Sequence, residues 1–429
     1  MWAKGAGHLF VTLNTGSAMA SRRKDTDLPG LAARAEREKA EGDPTGFMSG
    51  SFFYSDFAII LGGCVVFDSA VPEEEQKRII QLVAHDSSLA RPITENSLLR
   101  ACSKLEREYL ARLRTPYRLL TEISIYSTIE VPRIKVGDST ITFKPKLLNG
   151  YAARTSLASK SRSTLGFELP NGYMHVSVHV KARSTNEAAE RALDALDLVR
   201  ASWNLALNSG KAWRYSSGRP SPINDIRLSP FHTIHYPSGA LACETFWYDP
   251  GYSRPAGTFS NLTKFSDVLA FGAKIRNRLA SLAYREDIER ALIRYVRALD
   301  SADLNDAFLR LWSLLEYLTD STHEPYKVAT RRAAFMFADR ERSILVLSNL
   351  TNHRNRFVHV GSELGDIESL VFQLKRYVDA LLRFHLGNSF GFDSRSEAAR
   401  FMDQPPDEME LELRARRIQQ ARKFISGGD

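Results

Sequence analysis

The run FLRLWSLLEYL at residues 308–318 decides the fold of the C-terminal third of the chain. Its apolar residues recur three and four positions apart, which is the spacing of one face of an α-helix. The same spacing continues on both sides of the run, and glycine and proline are rare from residue 263 to residue 386. Helices are predicted at 265–284, 287–299, 303–318, 327–338, 341–360 and 366–386. Consecutive helices of this kind predict an all-α bundle.

The preceding part of the chain carries a different pattern, in which strand and helix periods alternate. MHVSVHV at residues 174–180 has the alternation of a strand. It leads into a helix that begins after Ser184, where Glu187 three residues later predicts a capping box. Further strands are predicted at 57–61, 64–67, 120–132, 139–144 and 241–247, and further helices at 73–85 and 95–112. The predicted fold class is an α+β N-terminal domain followed by an all-α helical bundle.

These changes in pattern divide the chain into four predicted parts. Residues 1–49 are interpreted as a flexible leader, because they are rich in Gly, Ala, Ser and charge, and Met19 and Met48 within them are alternative translation starts. Residues 50–262 form the α+β part, which ends in a loop-rich rim or linker. The bundle occupies residues 263–392. Residues 393–429 are a charged C-terminal helix or tail, interpreted as solvated.

Composition and charge narrow the class of protein. The 429 residues include 58 Lys and Arg against 50 Asp and Glu, and the net charge of +8 suits a polyanionic partner such as nucleic acid, although solubility explains it almost as well. The cysteines, Cys64, Cys102 and Cys243, are far apart and predict neither disulfides nor a zinc site. No apolar run is long enough to span a bilayer and no secretory signal is visible. We therefore expect no membrane partner and a cytoplasmic location.

Common catalytic motifs are missing from the sequence. It contains no GxxxxGK[ST] phosphate loop, no HExxH, no GxSxG and no set of carboxylates with metal-ligand spacing. We therefore expect no metal and no cofactor.

One segment combines an arginine and a histidine in a way that suits catalysis. It is NHRNRFVHVG at residues 352–361, where four residues separate Arg354 from His359. Imidazole exchanges protons near neutral pH and guanidinium binds phosphate. In RNA the 2′-hydroxyl can attack the adjacent phosphate, so acid–base help and charge stabilisation suffice for cleavage without a metal. The same spacing in RLSPFH at residues 227–232 is set aside, because Pro230 is incompatible with a helix.

The segments 308–318 and 352–361 resemble the HEPN family, in its Apea-like branch. HEPN domains are short helical bundles with an Arg-Asn-x-x-x-His signature near a helix end, and Arg354, Asn355 and His359 match that signature. The upstream segment is similar to the family's apolar-Trp-x-x-apolar-Glu run. The resemblance covers about residues 285–387. It implies a HEPN helical bundle that acts as a metal-independent endoribonuclease, often a toxin or an abortive-infection effector in anti-phage defence.

The resemblance also implies roles for the residues of this site. His359 is expected to act as acid and base, Arg354 to stabilise phosphate charge and Asn355 to position either group. A carboxylate in an apolar stretch points outward or pairs with a cation, and for Glu316 the candidate cation is Arg354, which it would orient.

Helix geometry places a condition on this site. Residues five apart on a regular helix point about 140° from each other, so Arg354 and His359 converge only if the helix loosens or a second chain contributes. Gly361 favours loosening near His359. The family's usual arrangement is a homodimer whose two motifs form one composite active site, and the resemblance implies the same here.

Other interpretations remain open. His359 also suits a helix-terminal histidine that binds backbone carbonyls, and His353 and Arg356, expected to bind the RNA backbone, are explained equally well by a solvated helix face. The chain is then a non-catalytic module that binds nucleotides or proteins in a defence or signalling complex, or a structural dimerisation protein. As a nuclease, its expected partners are RNA, with tRNA as one candidate, and a phage-derived trigger or antitoxin sensed through residues 50–262.

Overall fold

The computed structural model describes residues 20–41, 51–85, 92–167, 169–211, 221–249, 251–252, 258–360, 366–405 and 407–426. These residues form a mixed α+β fold that is mostly helical, with two sheets. The chain divides into two compact units. The first falls within Met1–Tyr117 and Val180–Arg191, and the second within Arg118–His179 and Ala192–Asp429.

The first unit combines helices with a short two-stranded sheet. Its elements are β1 (Ser21–Arg22), α1 (Leu28–Glu41), α2 (Ser51–Cys64), β2 (Val65–Val66), α3 (Glu73–Ala84) and α4 (Glu95–Leu110). β1 and β2 pair antiparallel. α4 begins at a capping box in which Thr94 and Ser97 each accept the other's backbone amide. The fully buried Leu28, Leu61, Leu98 and Cys102 belong to the core of this unit.

The apolar segment of this unit is a helix, so the strand predicted at 57–61 is wrong, and only two residues of the strand predicted at 64–67 are extended. Within α2 the buried residues are Phe57, Leu61 and Cys64, and the residues between them are half-buried or exposed. These buried residues are four and three positions apart, as expected for one face of an α-helix. In a short run of consecutive apolar residues this period cannot be told from a strand by sequence alone.

Part of the predicted leader is folded. Residues 20–41 form β1 and α1, and α1 buries Leu28 in the core of the first unit. This part is therefore packed, contrary to the prediction of a flexible leader. Residues 1–19 and 42–50, which include both alternative starts, lie outside the described residues.

The larger sheet has six strands: β3 (Thr115–Tyr126), β4 (Ile134–Val136), β5 (Ser139–Lys144), β6 (Tyr173–Ala182), β7 (Phe231–His235) and β8 (Leu241–Tyr248). Their order is β4-β5-β6-β3-β7-β8. The pairs β4–β5, β5–β6, β3–β7 and β7–β8 are antiparallel. Helix α5 (Ala152–Leu165) precedes β6 in the chain, and α6 (Thr185–Asn208) follows it.

Several of these elements match the predictions. The strand predicted at 174–180 is confirmed as β6 and the strand at 139–144 as β5. The helix predicted after Ser184 is confirmed as α6, and the Ser184 hydroxyl accepts the backbone amide of Glu187 at 3.1 Å. β3 and β8 correspond to predicted strands with shifted ends, whereas the short β4 and β7 and the helix α5 were not predicted.

The C-terminal region is helical, as predicted. It contains α7 (Leu262–Ala280), α8 (Arg285–Leu299), α9 (Leu304–Leu318), α10 (Tyr326–Ala334), α11 (Arg340–Val360), α12 (Ile367–Gly387), α13 (Arg395–Met402) and α14 (Glu408–Ile425). α9 packs on α8 and α12, and its first turn is capped by the Asp303 carboxylate. α14 buries none of its residues, which agrees with the predicted solvated helix. None of the described helices combines the length and the hydropathy that crossing a membrane requires.

The bundle shares its core with α6. Leu198, Ala201 and Leu205 of α6 belong to the same hydrophobic cluster as the buried residues of α8, α9 and α12. The domain boundary predicted between residues 262 and 263 therefore lies inside the second unit, in which the core continues from one side of it to the other.

Candidate active site

Helix α11 carries the Arg-Asn pair of the sequence motif one turn beyond its last buried leucine. Leu347 and Leu350 are fully buried against the bundle. Arg354 follows four positions after Leu350 and therefore lies near the same face of the helix. Its side chain is half-buried, so α11 directs it toward the neighbouring helices and not into bulk solvent.

The Arg354 side chain is held by an aromatic ring and by its neighbour. Its guanidinium carbon lies 4.7 Å from the centre of the Tyr326 ring, at the start of α10. Nη1 of Arg354 donates a hydrogen bond to Oδ1 of Asn355 at 3.3 Å. A guanidinium over an aromatic face is attracted by the ring quadrupole. The structure therefore brings Arg354 and Asn355 together and fixes the arginine against a second helix.

Glu316 of α9 lies near this arginine but binds a different partner. Its Oε1 accepts a hydrogen bond from Nε1 of Trp312 at 2.8 Å. Burial raises the pKa of Glu316, and the Trp312 hydrogen bond and the charge of Arg354 partly oppose that rise. Among the described side chains Glu316 and Arg354 share no direct hydrogen bond. Their relationship is electrostatic, and Tyr326 contacts both the Trp312 ring and Arg354.

The flanking residues of the motif pair with each other. Nη2 of Arg356 donates to Nδ1 of His353 at 3.0 Å, which requires that nitrogen to be unprotonated. Burial and the charge of Arg356 lower the pKa of His353. Arg356 is exposed and His353 is half-buried, so this pair remains accessible from solvent.

The histidine of the motif lies in α11, but its side chain lies outside the described residues. The helical backbone continues through position 359 to Val360. Residues 361–365, including Gly361, also lie outside the described residues. The structure thus brings Arg354 and Asn355 into contact, and Glu316 interacts with Arg354 only through its charge. For the His359 side chain the structure describes no contact.

A second polar network was not predicted. Glu122 of β3 and Arg154 of α5 are 4% and 2% exposed, and Nη2 of Arg154 donates to both carboxylate oxygens at 2.7 and 2.6 Å. Burial alone would raise the pKa of Glu122, but the charge of Arg154, the nearby His175 ring at 3.5 Å and hydrogen bonds from Arg154 and Ser229 lower it to about 2. Glu122 is therefore ionised at neutral pH and fully paired. The sequence signal for this network is a glutamate inside an apolar strand pattern, which indicates a buried carboxylate. The sequence does not indicate its partner, because Arg154 lies 32 positions away.

The segment 227–232 borders this network. As Pro230 predicts, it is not helical: Leu228 forms a bridge to Ile123, and β7 begins at residue 231. Nδ1 of His232 lies 2.7 Å from the hydroxyl of Thr121. Burial, together with the charge of Arg154, lowers the pKa of His232 to about 4, so its imidazole is neutral at physiological pH.

Comparisons with known proteins give this chain no relatives. No family model matches, and neither a curated protein nor a solved structure matches. In the described part of the chain, no group of three or more His, Cys, Asp or Glu side chains is placed to hold a metal ion. The HEPN resemblance therefore rests on the residues of segments 308–318 and 352–361.

Proposed function

We propose that this protein is a metal-independent endoribonuclease of the HEPN type, with its active site at Arg354, Asn355 and His359. The observation that carries the proposal is that the Arg354 side chain is held in place without an ion pair to a described carboxylate. It is half-buried and held by Tyr326 and Asn355, yet among the described residues no carboxylate lies within ion-pair distance of it. Arg332 of the same bundle, by contrast, is paired with Asp403 at 2.7 Å. A positioned guanidinium with free donors suits a phosphate.

The proposed reaction is an internal transfer at phosphorus. His359 takes the proton of the ribose 2′-hydroxyl, the 2′-oxygen forms a bond to the adjacent phosphorus, and the bond from phosphorus to the 5′-oxygen breaks. The protonated His359 returns this proton, through water, to the leaving 5′-oxygen. Arg354 stabilises the charge that develops on the phosphoryl oxygens. The products are a 2′,3′-cyclic phosphate and a 5′-hydroxyl.

The proposal includes a second copy of the chain. The α11 backbone is helical through residue 360, and residues five apart on such a helix point about 140° from each other. Arg354 of one copy and His359 of the other then form a composite site, and the solvent-accessible His353–Arg356 pair lies beside it to bind the RNA backbone. RNA, with tRNA as the first substrate to test, is the proposed substrate.

We place the enzyme in the cytoplasm and propose that it acts as an anti-phage effector or toxin. An unrestrained ribonuclease would injure its own cell, so its activity must be controlled. Residues 50–262 are the proposed site of restraint by an antitoxin or of activation by a phage-derived trigger. Glu316 is the proposed residue that orients Arg354, through the charge interaction and the shared contact with Tyr326.

Cleavage of total RNA and of tRNA by the purified full chain in EDTA tests the proposal. We expect fragments with 2′,3′-cyclic phosphate ends, lost in His359→Ala and in Arg354→Ala and retained in Arg310→Ala, whose arginine pairs with Asp306 on α9. Equal cleavage by wild type and His359→Ala would remove His359 from the mechanism.

For a restrained enzyme, expression in cells is the second readout. We expect growth arrest that His359→Ala relieves, and growth unaffected by the wild-type chain would contradict the toxin role.

A further inference from the structure

A cavity of about 230 Å³ lies in the second unit, away from the Arg354 site. Its lining comes from α6, from α8 and the residue after it, from β7 and the segment that leads into it, and from the chain after β8. Two of the lining residues, Arg227 and His232, belong to the segment RLSPFH at residues 227–232. Both residues are buried and have side-chain nitrogens without hydrogen-bond partners among the described residues, which indicates a binding site outside the proposed active site.

Arg227 is a buried cation without a hydrogen-bond acceptor for its side chain. The residue is 2% exposed, and its buried Nε and Nη1 atoms donate no hydrogen bond to a described residue. The nearest carboxylate oxygen, Oδ1 of Asp300, lies 3.8 Å from Nε. The Tyr252 ring covers the guanidinium at 4.8 Å. A buried charged group normally finds partners for its donors, because leaving them unmade is costly.

The other arginines of the cavity show that its carboxylates are already engaged. Arg200 donates to Asp300 at 2.9 Å and also binds Asp197. Arg297 donates to Asp197 at 2.7 Å and to Asp194 at 2.6 Å. Among the described residues, Asp300 comes within 3.8 Å of Arg227 without a hydrogen bond, and Asp249, which also lines the cavity, accepts the backbone amide of Gly251. A hydrogen-bond acceptor for Arg227 must therefore come from an occupant of the cavity.

The Nε2 atom of His232 is a second group in this cavity without a hydrogen-bond partner among the described residues. The residue is 8% exposed, its Nδ1 is occupied by Thr121, and its Nε2 makes no hydrogen bond to a described residue. In the tautomer whose Nδ1 accepts from the Thr121 hydroxyl, the imidazole carries its proton on Nε2. That N–H is then a further donor in the same cavity as Arg227.

We propose that this cavity binds the oxyanion of a small molecule, with Arg227 supplying charge and donors and His232 supplying a further donor. Arginine is the preferred partner of phosphate and carboxylate groups. A volume of 230 Å³ is below the range of about 300–1,000 Å³ that is usual for drug-sized ligands, so the ligand is small. This site is independent of the proposed nuclease, because none of its residues belongs to the Arg354 site.

Calorimetric titration of the full chain with inorganic phosphate, and separately with acetate, tests the proposal and distinguishes the two oxyanions. We expect at least one of them to bind, and Arg227→Gln to weaken that binding by about ten- to a hundredfold, the loss typical of a hydrogen bond to a charged group. The control is Arg276→Gln, which removes the same charge from a partly buried arginine of α7 outside the cavity and is expected to keep the affinity.

Absence of binding by both ions, or equal binding by wild type and Arg227→Gln, would overturn the proposal. Circular dichroism checks that the variants are folded. If Arg227→Gln does not fold, Arg227→Lys and His232→Gln replace it. Weaker binding in either supports the site, and unchanged binding in both contradicts it.

Discussion

The guanidinium of Arg354 on α11 lies over the ring of Tyr326 on α10, 4.7 Å from its centre. The same ring meets Trp312 of α9 edge-on, with centroids 6.3 Å apart. Trp312 in turn donates to Glu316. Tyr326 therefore connects the two segments that carry the sequence resemblance, although it belongs to neither. Its contacts explain how Arg354 is positioned without an ion pair to a described carboxylate.

We expect Tyr326→Leu to lower the rate of RNA cleavage by about two- to thirtyfold, since a cation–π contact contributes about 0.5–2 kcal/mol. The leucine fills part of the space but offers no π-face, so Arg354 loses its position. Tyr326→Phe keeps the face and should keep the rate. The measurement is initial cleavage rate under EDTA at equal folded concentration. An equal loss in both variants would mean that the hydroxyl, and not the ring face, is what matters.

We expect the stability of the wild type to fall relative to Glu316→Gln as pH rises above 4.5, the ordinary pKa of glutamate. Burial raises the pKa of Glu316 in the folded state, so folding favours its protonated form. A group whose pKa is higher in the folded state than in the unfolded state stabilises the protein fully at pH values below its unfolded-state pKa. This contribution is lost as the pH rises through its folded-state pKa. Glutamine has no such transition, and its carbonyl oxygen still accepts the Trp312 N–H.

Urea unfolding at several pH values from 4.5 to neutrality measures this difference. The exposed Glu341, in the first turn of α11, provides the control Glu341→Gln. A difference between wild type and Glu316→Gln that stays constant across these pH values would show that Glu316 does not titrate differently in the folded protein. Reduced cleavage by the folded Glu316→Gln would separately support its role in orienting Arg354.

The buried pair of Glu122 and Arg154 leads to a prediction about stability. Arg154→Met leaves the Glu122 carboxylate buried without its main partner, and breaking such a pair costs about 3–5 kcal/mol of unfolding free energy. The double variant Glu122→Leu/Arg154→Met removes both charges and should recover most of that loss. Removing the exposed Asp306–Arg310 pair should cost only about 0–1 kcal/mol.

The same pair predicts a direction of pH dependence. Because the pKa of Glu122 is lowered from 4.5 to about 2, its contribution is present above 4.5 and is lost as pH falls toward 2. Denaturant unfolding of wild type and of the double variant across this interval checks the sign. A double variant whose stability falls as steeply in acid as that of the wild type would assign the acid sensitivity to other groups.

The periodic elements were predictable because their pattern is repeated several times. β6 and α6 follow directly from alternation in 174–180 and from the helical spacing after Ser184, and the bundle follows from a long segment almost free of glycine and proline. α2 was not predictable, because its apolar run is short and nearly continuous. Only the buried positions Phe57 and Leu61 reveal the helical period.

The candidate site was predictable only where its residues share one helix. Arg354 and Asn355 are adjacent, so the sequence places them together. The Tyr326 contact and the Arg154–Glu122 pair join residues 28 and 32 positions apart on different elements, as the numbering shows. Contacts of this kind depend on how elements pack, and a single sequence holds no local signal for them. The cavity around Arg227 and His232 is a further case, because its lining comes from elements distant in the chain.

Gly272 of α7 lies against the fully buried Trp203 of α6, and this close approach leads to a prediction. A Cβ at position 272 would lie 2.9 Å from Cδ1 and Nε1 of the indole, closer than carbon atoms pack. The ring cannot give way easily, because Phe143 and Phe265 pack on it with centroids 5.8 and 5.5 Å away. The mid-helix glycine is therefore required by space, not by backbone conformation.

We expect Gly272→Ala to lower the unfolding free energy. Alanine is a better helix former than glycine by about 1 kcal/mol, but overpacking a dense core costs about 1–3 kcal/mol, so the clash outweighs the gain. Gly63 of α2 has no atom within 4 Å of a Cβ, so Gly63→Ala should be neutral or stabilising by up to about 1 kcal/mol. Thermal and urea unfolding of both variants measure the contrast. Equal gains in stability would mean that the Trp203 ring moves aside, because the helix propensity term is common to both positions and only the contact differs.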